Sequence, residues 1–137
     1  MKANGLMVGD WVKFPGGTID KIVDLPYIEG KGICASFAAS ATLFPFSVDK
    51  LEPIPLTPEI LEKNGFKPQG CYKFTYTDNY CSIEIICAPD ESEDNEIVYT
   101  SGVYMAGATF RTTITMEYIH ELQHALHLCG IEKEIIL

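Results

Sequence analysis

The chain is short, and its composition is that of an ordinary globular protein with an acidic surface. It has 137 residues, of which 47% are hydrophobic, and its 10 basic and 19 acidic side chains leave a formal net charge of -9. Such a surface repels phosphate backbones, so direct nucleic-acid binding is not expected. No signal peptide and no apolar run of the ~20 residues that cross a bilayer is visible, so no membrane partner is expected. The five cysteines form no Cys-x-x-Cys pair, which predicts reduced thiols in a soluble, cytoplasmic protein.

Residues 1–52 have the pattern of a small β unit. Four stretches have the composition or alternation of strands: Val8–Phe14, Thr18–Leu25, Ile33–Phe37 and Leu43–Val48. Because these short strands are separated by Gly- and Pro-containing turns, they predict a small SH3-like β-barrel. Trp11, Phe14 and Tyr27 could line a ligand groove on this barrel, although core packing is the commoner use of aromatic side chains.

Residues 53–137 predict a second unit of mixed structure, which makes the whole chain α+β. The Pro-rich connector Pro53–Leu56 leads to a helix that begins at Thr57, an N-cap residue followed by proline, and ends at Gly65. Phe66 can then fold back on Leu61.

An antiparallel sheet is expected to follow this first helix. A hairpin is predicted from Cys71–Thr77 and Tyr80–Ala88, because both arms alternate apolar and polar residues. Shorter strands are predicted at Ile97–Thr100 and Thr109–Ile114, and an acidic solvated loop separates them from the hairpin. The predicted fold of this unit is therefore an antiparallel sheet flanked by two helices.

The second helix is marked by an apolar stripe at helical spacing. The stripe consists of Tyr118, Ile119, Leu122, Ala125, Leu126 and Cys129. Thr115 is the expected N-cap, and Gly130 is expected to end the helix in a turn that places Ile131 against Leu126. A last strand at Ile135–Leu137 completes the predicted elements.

One string in this helix matches a catalytic motif. His120, Glu121 and His124 form the His-Glu-x-x-His pattern of zinc metallopeptidases. In that chemistry two histidines one turn apart bind Zn²⁺, and the glutamate acts as general base for the metal-bound water. The string lies on a predicted helix, as the chemistry requires.

The motif lacks a visible third protein ligand. His127 stands where the related metzincin pattern has glycine, and only thirteen residues follow His124, too few for a further ligand-bearing helix. An upstream acid such as Asp90 or Glu93 would have to serve. His127 extends the pair to a row of three imidazoles opposite the apolar stripe, and such a row on a solvated face can bind Zn²⁺ or Ni²⁺ adventitiously. We therefore predict no catalytic residue, cofactor or metal, with a zinc site at these residues as the alternative.

Three segments together resemble a family of small uncharacterised proteins from gut Bacteroides-type bacteria, their phages and mobile elements. They are Leu6–Val12, Pro53–Leu61 with Asn64–Phe66, and Tyr118–Gln123. The resemblance covers nearly the whole chain and implies an accessory protein of a phage or integrated element inside the bacterial host cell. It implies no established activity.

Three functions are compatible with these observations. The first is a non-enzymatic module that binds a protein partner, favoured by the acidic surface and the polar helix face. The second is a minimal zinc-dependent hydrolase that uses His120, His124 and Glu121. The third is a counter-defence protein that sequesters a small molecule, which rests only on the type of genome implied by the resemblance.

Overall fold

A computed structural model of the chain describes residues 5–38, 45–70, 73–78, 81–89, 97–105 and 114–137. The chain divides into two compact units, Met1–Ile54 and Pro55–Leu137. The described residues form two mainly antiparallel sheets and two α-helices, which confirms the α+β class. Within these residues, neither helix is long and apolar enough to cross a membrane.

The first unit contains a five-stranded antiparallel sheet. Its strands are β1 (Trp11–Lys13), β2 (Ile19–Asp24), β3 (Tyr27–Ile28), β4 (Gly32–Phe37) and β5 (Phe46–Ser47), and the 3₁₀ turn Val48–Lys50 follows β5. The strand order is β1-β2-β4-β3, and β5 pairs with β4. No closed barrel is found among the described residues, so the fold class is confirmed but the SH3-like barrel is not. Strand β3 was missed because two residues are too few to produce an alternating pattern.

The core of this unit consists of side chains from its strands and from the segments before and after them. It comprises Leu6, Val12, Ile22, Ala35, Val48 and Leu51. Phe14 packs at the edge of this core, with its ring centroid 4.7 Å from that of Phe37 and 5.2 Å from that of Phe46. The core therefore uses the alternation that predicted the strands, since Val12 and Ile22 lie on the buried face of β1 and β2.

The second unit contains the larger sheet, with strand order β10-β9-β8-β7-β6. Its strands are β6 (Lys67–Pro68), β7 (Lys73–Thr77), β8 (Cys81–Pro89), β9 (Ile97–Met105) and β10 (Ile114–Met116). The predicted hairpin is confirmed as β7 and β8, which pair Phe74 with Ile85, and both of these side chains are buried. The sequence predicted a strand that ends at Thr100. Strand β9 continues to Met105, because all nine of its residues pair with β8. Pairing across the sheet thus outweighs the weak strand propensity of Gly102.

The first helix, α1 (Pro58–Lys63), begins and ends where the sequence predicts. The Thr57 hydroxyl accepts a hydrogen bond from the backbone N–H of Ile60 at 3.4 Å, so Thr57 is the N-cap. Gly65 adopts a φ of 83°, and the backbone N–H of Phe66 donates to the Leu61 carbonyl at 3.0 Å. That bond closes a Schellman turn and places Phe66 in the core.

The second helix, α2 (Ile119–Leu128), begins later than predicted. Thr115 is not its N-cap but lies within β10, where it pairs with Thr100 of β9, so this part of the chain is extended. The end of α2 is as predicted. Gly130 has a φ of 69°, and the backbone N–H of Ile131 donates to the Leu126 carbonyl at 2.9 Å.

The last seven residues do not form the predicted strand. Residues 131–137 have no regular secondary structure, yet Ile131 and Ile135 are buried. The side chain of Asn64 takes the place of a neighbouring strand by bonding to the backbone of Ile136. The segment is therefore held to the end of α1 without joining the sheet.

Candidate functional site

The glutamate of the His-Glu-x-x-His string closes the start of α2. Its Oε2 atom accepts hydrogen bonds from the backbone N–H of Glu117 at 2.6 Å and of Tyr118 at 3.1 Å. Tyr118 is the N-cap, with extended backbone at φ -127° and ψ 157°, and Glu121 is the third residue of the helix. This is the carboxylate half of a capping box, in which the side chain satisfies backbone donors at a helix start. A carboxylate used in this way is turned back along the chain, whereas a general base must face a metal-bound water.

The three histidines of α2 differ sharply in exposure. His120 is buried, with 7% of its surface exposed, His124 is partly buried and His127 is exposed. The expectation of an imidazole row on one solvated face is therefore wrong for His120. The three residues do share a helix face, but the start of that face is covered, because the Tyr118 ring stacks on the His120 ring at a centroid distance of 5.8 Å.

His120 and His124 are close enough to be considered as a ligand pair. Their ring centroids are 5.8 Å apart, and their planes are inclined at 78°. Catalytic zinc sites need three protein ligands around an open position. Among the described residues, no group of three His, Cys, Asp or Glu side chains is placed to hold a metal ion. Asp90 and Glu93, the upstream acids considered as third ligands, lie outside the described part of the chain.

The structure brings together two of the segments that carry the family resemblance. Pro55, in the Pro53–Leu61 segment, forms an isolated antiparallel bridge with Tyr118. The next residue, Leu56, donates its backbone N–H to the Glu117 carbonyl at 2.9 Å and is itself buried. The Pro-rich connector thus pairs with the residues that Glu121 caps. These contacts give both segments a structural role that requires no catalysis.

Asn64 has a structural role that the sequence did not predict. It is 2% exposed, and its Nδ2 atom donates to the carbonyls of Ile60 and Ile136, both at 2.8 Å. Its Oδ1 atom accepts from the backbone N–H of Ile136, also at 2.8 Å. The side-chain amide therefore imitates a peptide unit and pairs with Ile136 on both of its edges. Lys63 adds a hydrogen bond from Nζ to the backbone oxygen of Leu137.

The only available signal for this arrangement was the Asn64–Gly65–Phe66 sequence at the helix end. Asparagine is common at such positions because its short side chain bonds nearby backbone groups. Nothing in that local pattern indicates a bond to a residue 72 positions away. Burial of Ile131 and Ile135 brings the two segments together, which is a property of the tertiary structure.

The three aromatic candidates of the first unit have different environments. Phe14 packs in the core, whereas Tyr27 is 75% exposed, so core packing is wrong for Tyr27. Trp11 is partly buried, and the Nζ of its cross-strand partner Lys21 lies 5.0 Å from its ring centroid. That geometry is a cation–π contact on the outer face of the sheet.

Tyr27 lies beside a second exposed apolar side chain. It pairs across β3 and β4 with Ile33, which is 38% exposed. Directly paired residues of antiparallel strands project from the same face, so the two side chains form one surface. Asp24 and Glu29, three residues before Tyr27 and two after it, are also exposed. We call Tyr27 and Ile33 with these two acids the Tyr27 surface.

Comparisons with known proteins found no matching family model, no matching curated protein and no matching solved structure.

Proposed function

We propose that this protein is a non-enzymatic accessory protein that acts by binding a protein partner. The observation that carries the proposal is the position of Glu121, whose carboxylate bonds to two backbone N–H groups at the start of α2. The glutamate of the string that most resembles an active site thereby has a structural use. Among the described residues, the exposed surface is then the part of the protein proposed to mediate function.

The Tyr27 surface is the favoured contact region. Tyrosine is enriched among the residues that contribute most to protein–protein binding, because it buries a large rigid side chain and keeps a polar end. The pair of Tyr27 with Ile33 supplies an apolar centre, and the exposed acids Asp24 and Glu29 lie within three residues of Tyr27 in the sequence. Together with the net charge of -9, these side chains favour a partner that presents a hydrophobic pocket bordered by basic side chains.

The partner can be identified and tested in two steps. A photo-crosslinking amino acid placed at Ile33 would capture the bound protein in host cells, and binding of the purified partner would then be measured by calorimetry. We expect Tyr27→Ala to weaken binding by about tenfold or more, as for a central contact residue. The matched control is Leu128→Ala, because Leu128 is 77% exposed but belongs to the second unit. Equal affinities for the two variants would overturn the assignment of this surface, and turnover of a substrate that depends on Glu121 would overturn the non-enzymatic function.

The first unit is further proposed to be a variant of the SH3-like barrel. Beyond the 3₁₀ turn, Glu52 returns to β1 and exchanges two backbone hydrogen bonds with Lys13, at 2.8 and 2.9 Å. The side chains of the same two residues form an ion pair at 2.9 Å. A last segment that returns to the first strand after a 3₁₀ turn supports this topology. An experimental structure in which residues 39–53 leave the edge of β1 unpaired would contradict it.

A zinc-dependent hydrolase is the second candidate, and the adjacency of His120 and His124 favours it. Its test is the metal content of untagged protein, measured by plasma mass spectrometry. About one zinc per chain that is lost in His124→Ala but retained in His127→Ala would establish a site at the pair. Metal-free protein with unchanged stability would eliminate this candidate.

We also propose that the protein belongs to a phage or mobile element and acts in the cytoplasm of its bacterial host. The support is the resemblance carried by Leu6–Val12, Pro53–Leu61 and Tyr118–Gln123. Integrase, transfer or phage structural genes beside the coding sequence would strengthen the proposal. Finding the coding sequence within a housekeeping operon in every related genome would contradict the proposal.

A further inference from the structure

We propose that Asn64 is a site of spontaneous deamidation, and that the C-terminal segment (Ile131–Leu137) controls when the reaction occurs. Asn64 precedes Gly65, and it holds this segment through both edges of its amide group. Asn64 therefore belongs to a reactive Asn-Gly sequence, and its side chain also makes a structural contact that the reaction would destroy. Deamidation would act as a one-way release of the segment.

The chemistry requires only water. The backbone nitrogen of Gly65 loses its proton and attacks the Cγ atom of Asn64, and the amide nitrogen leaves as ammonia. The new carbon–nitrogen bond closes a five-membered succinimide ring. Water then opens this ring at either carbonyl, which yields aspartate or isoaspartate at position 64. Glycine is the most permissive second residue, because it has no Cβ to hinder approach of its nitrogen and rotates freely.

The folded geometry opposes this reaction in three ways. Asn64 is 2% exposed, and three hydrogen bonds of 2.8 Å fix its amide group. Its backbone angles, φ -92° and ψ 13°, are fixed by its position at the end of the helix, so the backbone cannot rotate to bring the following nitrogen to Cγ while the helix end is intact. The attacking nitrogen of Gly65 is also engaged, because its N–H donates to the Glu62 carbonyl at 3.0 Å. Ring closure therefore requires local opening around the end of α1.

Release of the C-terminal segment is the part of this opening that exposes the Asn64 amide. Two of the three amide hydrogen bonds are made to Ile136, and the segment is anchored by the buried side chains of Ile131 and Ile135. Loss of that anchor removes the Ile136 bonds and admits water to Cγ. The rate of reaction at Asn64 is thus expected to rise as the segment spends more time detached.

The product cannot restore the contact. Aspartate has no N–H donor, so its second oxygen would face the carbonyls of Ile60 and Ile136, which are acceptors as well. Buried acceptors left without donors, beside a charged oxygen, disfavour the closed state. Isoaspartate adds a further disruption, because Cβ enters the main chain and displaces Gly65 from the Schellman turn.

The chain contains its own reference reaction. Asn4 also precedes a glycine, and it lies outside the described residues and far along the sequence from the C-terminal segment. Deamidation at both sites can be followed in one sample by peptide mapping and mass spectrometry of intact protein held at mildly alkaline pH. The ratio of the two rates corrects for temperature, pH and handling.

The decisive variant is Ile135→Ala, with Ile136→Ala as its matched control. Ile135 is 1% exposed and anchors the segment, whereas the Ile136 side chain is 59% exposed and only its backbone bonds to Asn64. We expect the ratio of Asn64 to Asn4 reaction to rise about tenfold or more in Ile135→Ala, because truncation of a buried isoleucine strongly populates the open state. In Ile136→Ala the ratio should stay within about twofold of the unmodified protein.

A second variant keeps the test decisive if Ile135→Ala unfolds. Asn64→Asp reproduces the product, and hydrogen exchange of the Ile136 amide in full-length protein should accelerate by about tenfold or more relative to the unmodified chain. Asn64 reacting as fast in the native protein as in urea, or an Ile136 amide equally protected in Asn64→Asp, would overturn the proposal.

Discussion

The two helices of the second unit end in the same way but begin in different ways. Each is followed by a glycine at positive φ, Gly65 or Gly130, and each is closed by a backbone bond from the next residue to a buried leucine. At their starts, α1 is capped by the hydroxyl of Thr57. In α2 a carboxylate from within the helix, that of Glu121, reaches back to two N–H groups.

This difference shows that a capping pattern and a catalytic motif can share the same residue letters. Glutamate at the third helical position is a common capping device, and it is also the general base in a His-Glu-x-x-His string. Which use applies depends on where the helix begins. Had Thr115 been the N-cap, Glu121 would lie in the second turn with its carboxylate free. Because β10 extends to Met116, the helix begins at Ile119 and Glu121 becomes the cap.

The largest expected effect tests whether the two helix ends are energetically equivalent. Leu61 and Leu126 accept the closing bonds of α1 and α2, and both are at most 1% exposed. Leu61→Ala and Leu126→Ala should each destabilise the second unit by about 2–5 kcal/mol, through lost burial and the cavity left behind. Leu128→Ala, at an exposed position of α2, should change stability by less than about 0.5 kcal/mol.

Two spectroscopic signals allow that measurement to be assigned to a unit. The single tryptophan, Trp11, belongs to the first unit, while the described α-helices belong to the second. Urea unfolding is therefore followed by tryptophan fluorescence and by the helical circular dichroism signal. If Leu126→Ala moved both transitions equally, the two units would unfold as one, contrary to the division of the chain predicted from its sequence.

The next effect concerns the two glycines that end the helices. Gly65→Ala and Gly130→Ala place a side chain at φ values of 83° and 69°. An added Cβ would meet only the Tyr76 ring edge at 4.0 Å in the first case and nothing within 4 Å in the second. The penalty is therefore backbone strain alone, and each variant should lose about 1–2 kcal/mol in urea unfolding. A loss confined to one variant would show that only that helix depends on a left-handed turn.

Substitutions at the starts of the two helices should not be equal in cost, and the larger loss of stability is expected at α2. Glu121→Ala removes two hydrogen bonds, one of them 2.6 Å long, and should cost about 1–2 kcal/mol. Thr57→Ala removes one long bond of 3.4 Å and should cost about 0.5 kcal/mol. Urea unfolding with Glu62→Ala as the exposed control measures both. If Glu121→Ala left stability and any bound zinc unchanged but abolished hydrolysis, the catalytic interpretation of Glu121 would replace the structural one.

The smallest effect is a pH dependence at the start of α1. Hydrogen bonds from its own backbone N–H and from the Thr57 hydroxyl lower the pKa of Glu59. Because the folded-state pKa lies below the unfolded value of about 4.3, Glu59 contributes stability at neutral pH that is lost as the pH falls through the lowered value. The stability difference between the unmodified protein and Glu59→Gln should therefore shrink in acid. Glu62→Gln removes the same charge later in the helix and is the control, and a difference that grew in acid would contradict the assignment.

Local sequence signals predicted the elements whose formation depends on neighbouring residues. Thr57 and Gly65 bound α1 as expected, and Gly130 ends α2 as expected, because caps and left-handed turns are decided within a few positions. The hairpin of β7 and β8 was also predicted, since Phe74 and Ile85 follow the alternation of a half-buried sheet.

Elements that depend on distant partners were predicted less well. The start of α2 was placed at Thr115, and Ile135–Leu137 was predicted as a strand, yet β9 and Asn64 determine the conformation of these residues. The same holds for the candidate site. The sequence identified His120, Glu121 and His124 as candidates. It did not indicate that the Tyr118 ring covers His120 or that the Glu121 carboxylate caps the helix.

From its sequence alone, the chain is an acidic α+β protein with two capped helices and an antiparallel hairpin, because composition, capping and alternation act over short distances. The tertiary structure decided the environments of Glu121, Asn64 and Tyr27. Each environment depends on residues that folding brings close or leaves exposed: the late start of α2, the bonds between Ile136 and Asn64, and the exposed Ile33 that pairs with Tyr27. Strand pairing, buried hydrogen bonds and burial of apolar surface act between segments that are distant in the sequence, which is why only the tertiary structure decided these arrangements.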